Sequence, residues 1–336
     1  MIRQLRTATL AAAVLAATSP SASAQWEMLS ARMALVSPDA LTVREAGDQP
    51  SVVASQDCDI SATQVAEFDA LMLLSAAEQE TSKKLHAKFG LPVAVAAIPD
   101  EQLLVNREYV INYNSDLKIP IYATYVLKAS DVVRATREKC FREDQRLGQP
   151  ARSVLADYVE PTFDRGHLVP RADMNRSKGV MINTFVLSNM TPQHDQFNQG
   201  IWETLETAVR AWAVERGTIL ILSGAIFDAN KDGTRDSAAD ASRVRPTNRV
   251  GIPTHFFKIV LNEKPSGFID AIAILLPHTD DEVPRSLPMP KKLAYLEDHI
   301  VSIESIEALT GYKFFPDMPE TRRRAVKRSV AAGLWE

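Results

Sequence analysis

Phe163-Asp-Arg-Gly-His-Leu-Val-Pro-Arg-Ala-Asp-Met174 is the stretch on which the reading of this chain turns. Asp164, Arg165 and His167 sit almost side by side, and Gly166 between them permits a close backbone approach. An imidazole titrates near neutral pH, a guanidinium offers a planar fork to phosphate oxygens, and a carboxylate can orient both. The combination suits general-base work on an anionic substrate. Taken alone, these residues are equally well read as a surface ion pair beside a structural histidine. Residues 165–174 and 184–190 are expected to be extended.

The next informative stretch is Asn198-Gln-Gly-Ile-Trp-Glu-Thr-Leu-Glu206. From residue 199 to 216 the spacing of Trp202, Leu205, Val209 and Trp212 predicts one apolar helix face, closed by Gly217. By itself Asn198 reads as a helix cap and Glu206 as a solvated helix residue.

Together the two motifs resemble the DNA/RNA non-specific endonuclease family, ββα-metal nucleases of the secreted bacterial type. That family pairs Asp-Arg-Gly-His with a later Asn-Gln-Gly-x-Trp-x-x-Leu-Glu, and both stand complete here. Ser188-Asn-Met-Thr-Pro-Gln193, Ser223-Gly-Ala-Ile-Phe227, Ile252-Pro-Thr-His-Phe-Phe-Lys258 and Ser305-Ile-Glu-Ala-Leu-Thr-Gly311 extend the likeness.

The resemblance implies an α+β ββα-metal fold, with a central, mainly antiparallel sheet flanked by helices. It implies a Mg²⁺-dependent endonuclease, with Mn²⁺ as a substitute, that cuts DNA and RNA with little sequence preference. His167 matches the general base, Asn198 the direct metal ligand, and Arg165 the arginine that supports the phosphate. Asp164 is given an orienting role. A further upstream arginine precedes the landmark Phe141-Arg-Glu-Asp144; Arg137, Lys139 and Arg142 are candidates, with Arg137 preferred. Helix geometry bears on Glu206 independently. Eight helical residues rise about 12 Å, so Glu206 reaches the metal of Asn198 through water.

The wider composition agrees. With 38 Lys+Arg against 42 Asp+Glu the chain carries −4, which excludes a uniformly basic nucleic-acid coat but not a local groove. Arg134, Arg137, Lys139, Arg142, Arg146 and Arg152 precede the first motif, and Arg171, Arg176 and Lys178 follow it. Backbone-tracking cations of this kind bind DNA and RNA without reading bases. Arg322-Arg-Arg324, Lys327 and Arg328 read instead as a solvated tail. His-Glu-x-x-His and Gly-x-Ser-x-Gly do not occur, which disfavours zinc and serine hydrolases. The competing class is a catalytically silent nucleic-acid-binding or Ca²⁺-stabilised surface protein on the same fold. Its motivation is Asp228-Ala-Asn-Lys-Asp-Gly-Thr-Arg-Asp236, where Asp228, Asn230, Asp232 and Asp236 fall at positions 1, 3, 5 and 9 of a Ca²⁺-type loop.

At the N-terminus, Arg3 and Arg6 precede an apolar run and the small triplet Ala22-Ser23-Ala24. This is the layout of a signal peptide, residues 1–24, and predicts an exported protein, periplasmic or secreted, with no membrane anchor. Two cysteines in an oxidising compartment predict a Cys58–Cys140 bridge. Residues 25–60 read as an irregular lead-in. Residues 61–89 read as helical, with Val65, Phe68, Leu71, Met72 and Leu74 on one face and a capping box at Ser75 and Glu78. The expected division is a lead-in and helical extension over 25–105, an endonuclease domain over 106–320 and a basic tail over 321–336.

Overall fold

The computed structural model describes residues 22–36, 56–158, 162–245, 248–280 and 283–335. All but the last three residues of the expected signal peptide lie outside them. In chain order the strands are β1 (Gln56–Cys58), β2 (Val93–Ala94), β3 (Glu101–Val105), β4 (Val110–Asn114), β5 (Ile119–Lys128), β6 (Cys140–Arg142) and β7 (Phe163–His167). They continue with β8 (Met190–His194), β9 (Thr218–Ile226), β10 (Arg243–Arg245), β11 (Asn248–Gly251), β12 (His255–Glu263), β13 (Ile269–Pro277) and β14 (Tyr312–Lys313). The helices are α1 (Ala22–Val36), α2 (Ala62–Ala70), α3 (Ala76–His86), α4 (Lys178–Ile182), α5 (Glu203–Arg216), α6 (Met289–Asp298), α7 (Ile303–Thr310) and α8 (Glu320–Arg328).

Six strands form the central sheet in the order β13-β12-β9-β5-β4-β3, and every neighbouring pair is antiparallel. β5, β9 and β12 are buried along nearly their whole length, so the sheet is covered on both faces. Adjacent residues of β12 show the two layers, since successive strand side chains point to opposite faces. Phe256 packs on Phe197 and Trp202, each at 5.4 Å between ring centroids, while Phe257 packs on Phe314 at 5.8 Å.

β7 and β8 make a separate antiparallel ribbon, with Phe163 opposite His194 and His167 opposite Met190. A π turn, Phe197–Trp202, leads from the ribbon into α5. Two strands and a helix in sequence order are the ββα unit that the motifs implied. The predicted apolar face of α5 is buried at Leu205, Val209 and Trp212, and Gly217 ends the helix at φ +81°.

Several expectations are corrected. Part of the lead-in is helical: α1 buries Leu29 and Met33 in the main core, and Val36 accepts a hydrogen bond from Arg210 Nε. Residues 184–189 are not a strand, and only Met190 of the expected stretch is in β8. Two 3₁₀ turns, Asn183–Phe185 and Leu187–Asn189, precede β8, because Asn189 bonds the backbone of Val169 and Thr184 and so competes with strand pairing. Of residues 165–174, only the part up to His167 is strand, and Arg171–Met174 is a 3₁₀ turn. α2 ends before Leu71, which is exposed. Residues 320–328 form α8, with Arg322, Arg324 and Arg328 exposed as expected, but Val326 and Trp335 are buried and Lys327 pairs with Glu307. β3, expected in the extension, is an edge of the central sheet. Ser75 and Glu78 form the anticipated capping box.

Candidate active site

Strand alternation places Arg165 and His167 on one face of the ribbon and Asp164 and Gly166 on the other. Gly166 is dictated by a close approach: a Cβ there would lie 2.2 Å from Gln193 Cδ of β8. Asp164 reaches across to the second motif. Its Oδ2 accepts from Asn198 Nδ2 at 3.0 Å and from Gln199 Nε2 at 2.7 Å. A carboxylate acceptor fixes the flip of the Asn198 amide, so Oδ1, which has no partner among the described residues, is the atom left for a cation. Asn198 is not a cap but sits inside the π turn. A π turn inserts one extra residue, so the eight-residue step to Glu206 acts as seven. Seven residues at about 100° each return to within roughly 20° of the starting face, which puts both side chains on one side of the helix.

His167 stands on two aromatic rings. It meets Phe185 edge to face at 4.7 Å and lies 6.0 Å from Phe141. Its Nε2 is buried and has no hydrogen-bond partner among the described residues. Burial, reinforced by the charges of Arg171, Arg137 and Arg165, pulls its pKa down to about 3. The ring is therefore a neutral base with an unspent lone pair or proton position. Arg165 shares the Phe141 platform, its Cζ 3.9 Å from the ring centroid.

Below the ribbon, Glu206 lies in a buried charged cluster. Burial raises its pKa to about 7, and the charges of Lys258 and Arg210 oppose that rise. Burial lowers Lys258, whose Nζ donates to Ser223 Oγ at 3.2 Å and lies 4.5 Å from the Trp202 ring centroid. Arg210 pairs with Asp173 at 3.0 Å, both almost wholly buried, and Tyr125 donates to the same carboxylate at 2.7 Å. Arg171 links the halves of the site electrostatically. Burial and the charges of Arg137 and Arg210 lower its pKa to about 10, against the pull of Glu206 and Glu203.

The DNA/RNA non-specific endonuclease model matches residues 93–321. Mitochondrial endonuclease G of Homo sapiens is 30% identical over 251 residues, which cover 74% of this chain and 78% of that protein. The mitochondrial nuclease of Saccharomyces cerevisiae is 27% identical over 253 residues, covering 72% of this chain and 73% of that protein. Nuclease 1, mitochondrial, of Schizosaccharomyces pombe is 26% identical over 254 residues, covering 74% of each.

The chain belongs to the DNA/RNA non-specific endonuclease family.

Membership makes it a nucleic-acid hydrolase of a metal-dependent family, and the donor set fits that class. An amide oxygen freed by Asp164 is a hard ligand, and a carboxylate on the same helix face can act through water. Of the three upstream cations, Arg142 is buried and committed to Asp69, Asn183 and the carbonyls of Cys140 and Ile182. Lys139 pairs with Asp57 at 3.0 Å. Arg137 is exposed, and its charge acts on His167 and Arg171.

The acidic loop after β9 is held together by hydrogen bonds of its own. Asp228 accepts from the backbone of Asp232 and Gly233, Asp232 from Thr234, and Asp236 from Ala229. Its carboxylates turn onto their own loop, and no three acidic, His or Cys groups among the described residues gather around a common point. Cys58 and Cys140 form the expected disulfide.

Sequence reasoning missed Phe141, Asp173, Arg210, Lys258 and Asp57, and named Arg171 only as a cation of the groove. Arg171, Asp173 and Lys258 lie inside the quoted motifs, and Phe141 opens the arginine landmark, so their positions were signalled though their tasks were not. Arg210 was legible only as a cation on a helix face otherwise fit for burial. Asp57 carried no signal.

Proposed function

We propose that this nuclease is an exported, Mg²⁺-dependent endonuclease that hydrolyses phosphodiester bonds of both DNA and RNA, with His167 as general base. The observation that carries the reading is the buried, unpartnered Nε2 of His167 beside Arg165, Arg137 and Arg171, on a strand whose Asp164 fixes Asn198. A neutral imidazole with a free nitrogen can take the proton of an attacking water. Arg165 and Arg137 supply planar forks for the non-bridging phosphate oxygens. Burial does most to keep His167 neutral; the arginines' smaller share is relieved once an anionic phosphate lies among them, so the imidazole becomes a stronger base when substrate is bound.

Asn198 Oδ1 would hold the divalent cation directly and Glu206 would hold it through water. A cation there supplies charge neutralisation at the phosphate and at the leaving 3′ oxygen. Mn²⁺, which takes the same oxygen donors, should substitute. Contacts of this kind read phosphate rather than bases, in keeping with low sequence selectivity.

Export is supported by the composition of residues 1–24 and by the disulfide, which belongs to oxidising compartments. No helix of the described residues is long and apolar enough to cross a membrane. The test is digestion of supercoiled plasmid and of RNA with Mg²⁺, with Mn²⁺ and with EDTA. Both substrates should be cut with either cation and neither with EDTA. Cleavage unaffected by EDTA would overturn the metal assignment.

A further inference from the structure

The fold brings one acidic side chain from outside the family-matched segment onto the active-site arginine. β1 pairs with β6 in the register Gln56 to Arg142, Asp57 to Phe141 and Cys58 to Cys140. The Cys58–Cys140 disulfide closes that register covalently. Beyond it, Asp59 N donates to Lys139 O at 2.9 Å and Lys139 N donates to Asp59 Oδ2 at 2.8 Å. Asp57 is thus held opposite Phe141, the ring on which Arg165 rests. Its carboxylate bridges two cations: Oδ1 lies 3.0 Å from Lys139 Nζ, and Oδ2 lies 3.3 Å from an Arg165 terminal nitrogen.

The Arg165 side chain makes no other hydrogen bond among the described residues. Asp57 therefore claims one corner of the guanidinium, Phe141 fixes its plane, and the other N–H groups of the fork stay available. We propose that Asp57 is a positioning residue for Arg165 in phosphodiester hydrolysis, delivered to the site by the disulfide-bonded strand β1. The inference rests on the reading of Arg165 as a phosphate-binding group. It makes the N-terminal extension part of the catalytic unit.

Positioning, competition with phosphate, and a purely structural role predict different kinetics. A guanidinium freed from Asp57 still attracts DNA, and the site has lost a negative charge, so binding should hold or tighten. Its fork is no longer aimed, so turnover should fall. The experiment is steady-state cleavage of a duplex oligonucleotide by the full chain with Mg²⁺. Asp57→Asn should lower kcat by about tenfold, the scale of a small misplacement of a catalytic group, with KM unchanged or lower. Asp57→Glu should recover part of that loss. Cys58→Ser/Cys140→Ser should reproduce the Asp57→Asn kinetics, and combining the two should change kcat no further than about twofold, since both act through one contact. In an Arg165→Lys background, where no planar fork remains to aim, Asp57→Asn should alter kcat by less than about twofold.

An Asp57→Asn enzyme with unchanged or raised kcat would overturn the proposal, the second outcome making Asp57 a competitor of phosphate. An equal tenfold loss in the Arg165→Lys background would overturn it in favour of a structural role. If Asp57→Asn does not fold, as read by its thermal transition, Asp57→Glu decides: wild-type kcat overturns the proposal, and a reduced kcat with unchanged KM supports it. Absence of cleavage by the wild type itself would remove the nuclease reading together with this inference, whereas the other outcomes leave that reading standing.

Discussion

Two oxygen-rich segments of this chain invite a cation, and they differ in what their side chains have already done. The loop from Asp228 to Asp236 carries four candidate ligands in Ca²⁺-loop spacing, yet its carboxylates are turned onto backbone N–H groups of the same loop. The π turn carries one amide, Asn198, whose N–H is taken by Asp164 and whose oxygen is not. Ligand count favours the first segment and unspent donors favour the second. Mg²⁺ keeps most of its waters and needs few protein ligands, so for that ion the second criterion governs. The same contrast holds for the histidines. His278 is neutral through burial and spends both nitrogens, Nδ1 against Pro253 O at 2.8 Å and Nε2 on the backbone N–H of His194 at 2.9 Å. His167 leaves Nε2 buried and unpartnered.

The comparison breaks most visibly at His167. His167→Ala should lower kcat by about 10²–10⁴-fold, the range for a lost general base, while binding of a duplex in EDTA changes little. His278→Ala should instead lower the thermal transition. A His167→Ala enzyme of near-normal rate would mean that the unspent nitrogen is incidental.

Asp164 comes next. Its carboxylate touches Asn198, the proposed ligand, rather than the reacting atoms, so Asp164→Ala should raise the divalent-cation concentration needed for half-maximal rate by about 10–100-fold. Saturating cation should restore much of kcat. A variant with a normal cation requirement would detach Asp164 from the metal site.

Acidification sharpens the roles of the two titrating groups. His167 is depressed to about 3 and so stays neutral well below pH 6, whereas burial raises Glu206 to about 7. As pH falls, Glu206 is the first of the two to change form, gaining a proton and losing acceptor capacity for water. The rate should therefore decline on the acid side of neutrality at limiting cation. Glu206→Gln should be slower at all pH values and should lack that limb. An identical acid limb in Glu206→Gln would assign it elsewhere.

The smallest effect is expected in the acidic loop. Asp236→Ala removes one acceptor for a backbone N–H and should cost about 1 kcal/mol of stability with kcat unchanged. A large loss of activity would show that the loop does more than cap itself.

How much of this was legible follows from where each signal resides. The ββα unit was readable because Asp164–His167 and Asn198–Glu206 are contiguous runs whose residue types are set by local geometry, as Gly166 under Gln193 shows. The antiparallel sheet was expected from the family resemblance, since strand composition alone does not set the direction of pairing. The π turn was not, since one inserted residue leaves the apolar period of α5 intact. α1 and α8 were misjudged because their burial depends on partners distant in sequence: Leu29 and Met33 join the core of the folded body, and Lys327 is matched by Glu307. The roles of Phe141 and Asp57 are relations between strands, which no spacing along one strand encodes.

The most direct measurement is a paired cation titration of DNA cleavage by Asn198→Ala and Asp228→Ala. The account predicts that Asn198→Ala needs far more Mg²⁺ than the wild type, while Asp228→Ala titrates as the wild type does. An increased Mg²⁺ requirement in Asp228→Ala together with a normal one in Asn198→Ala would place the metal in the acidic loop and contradict it.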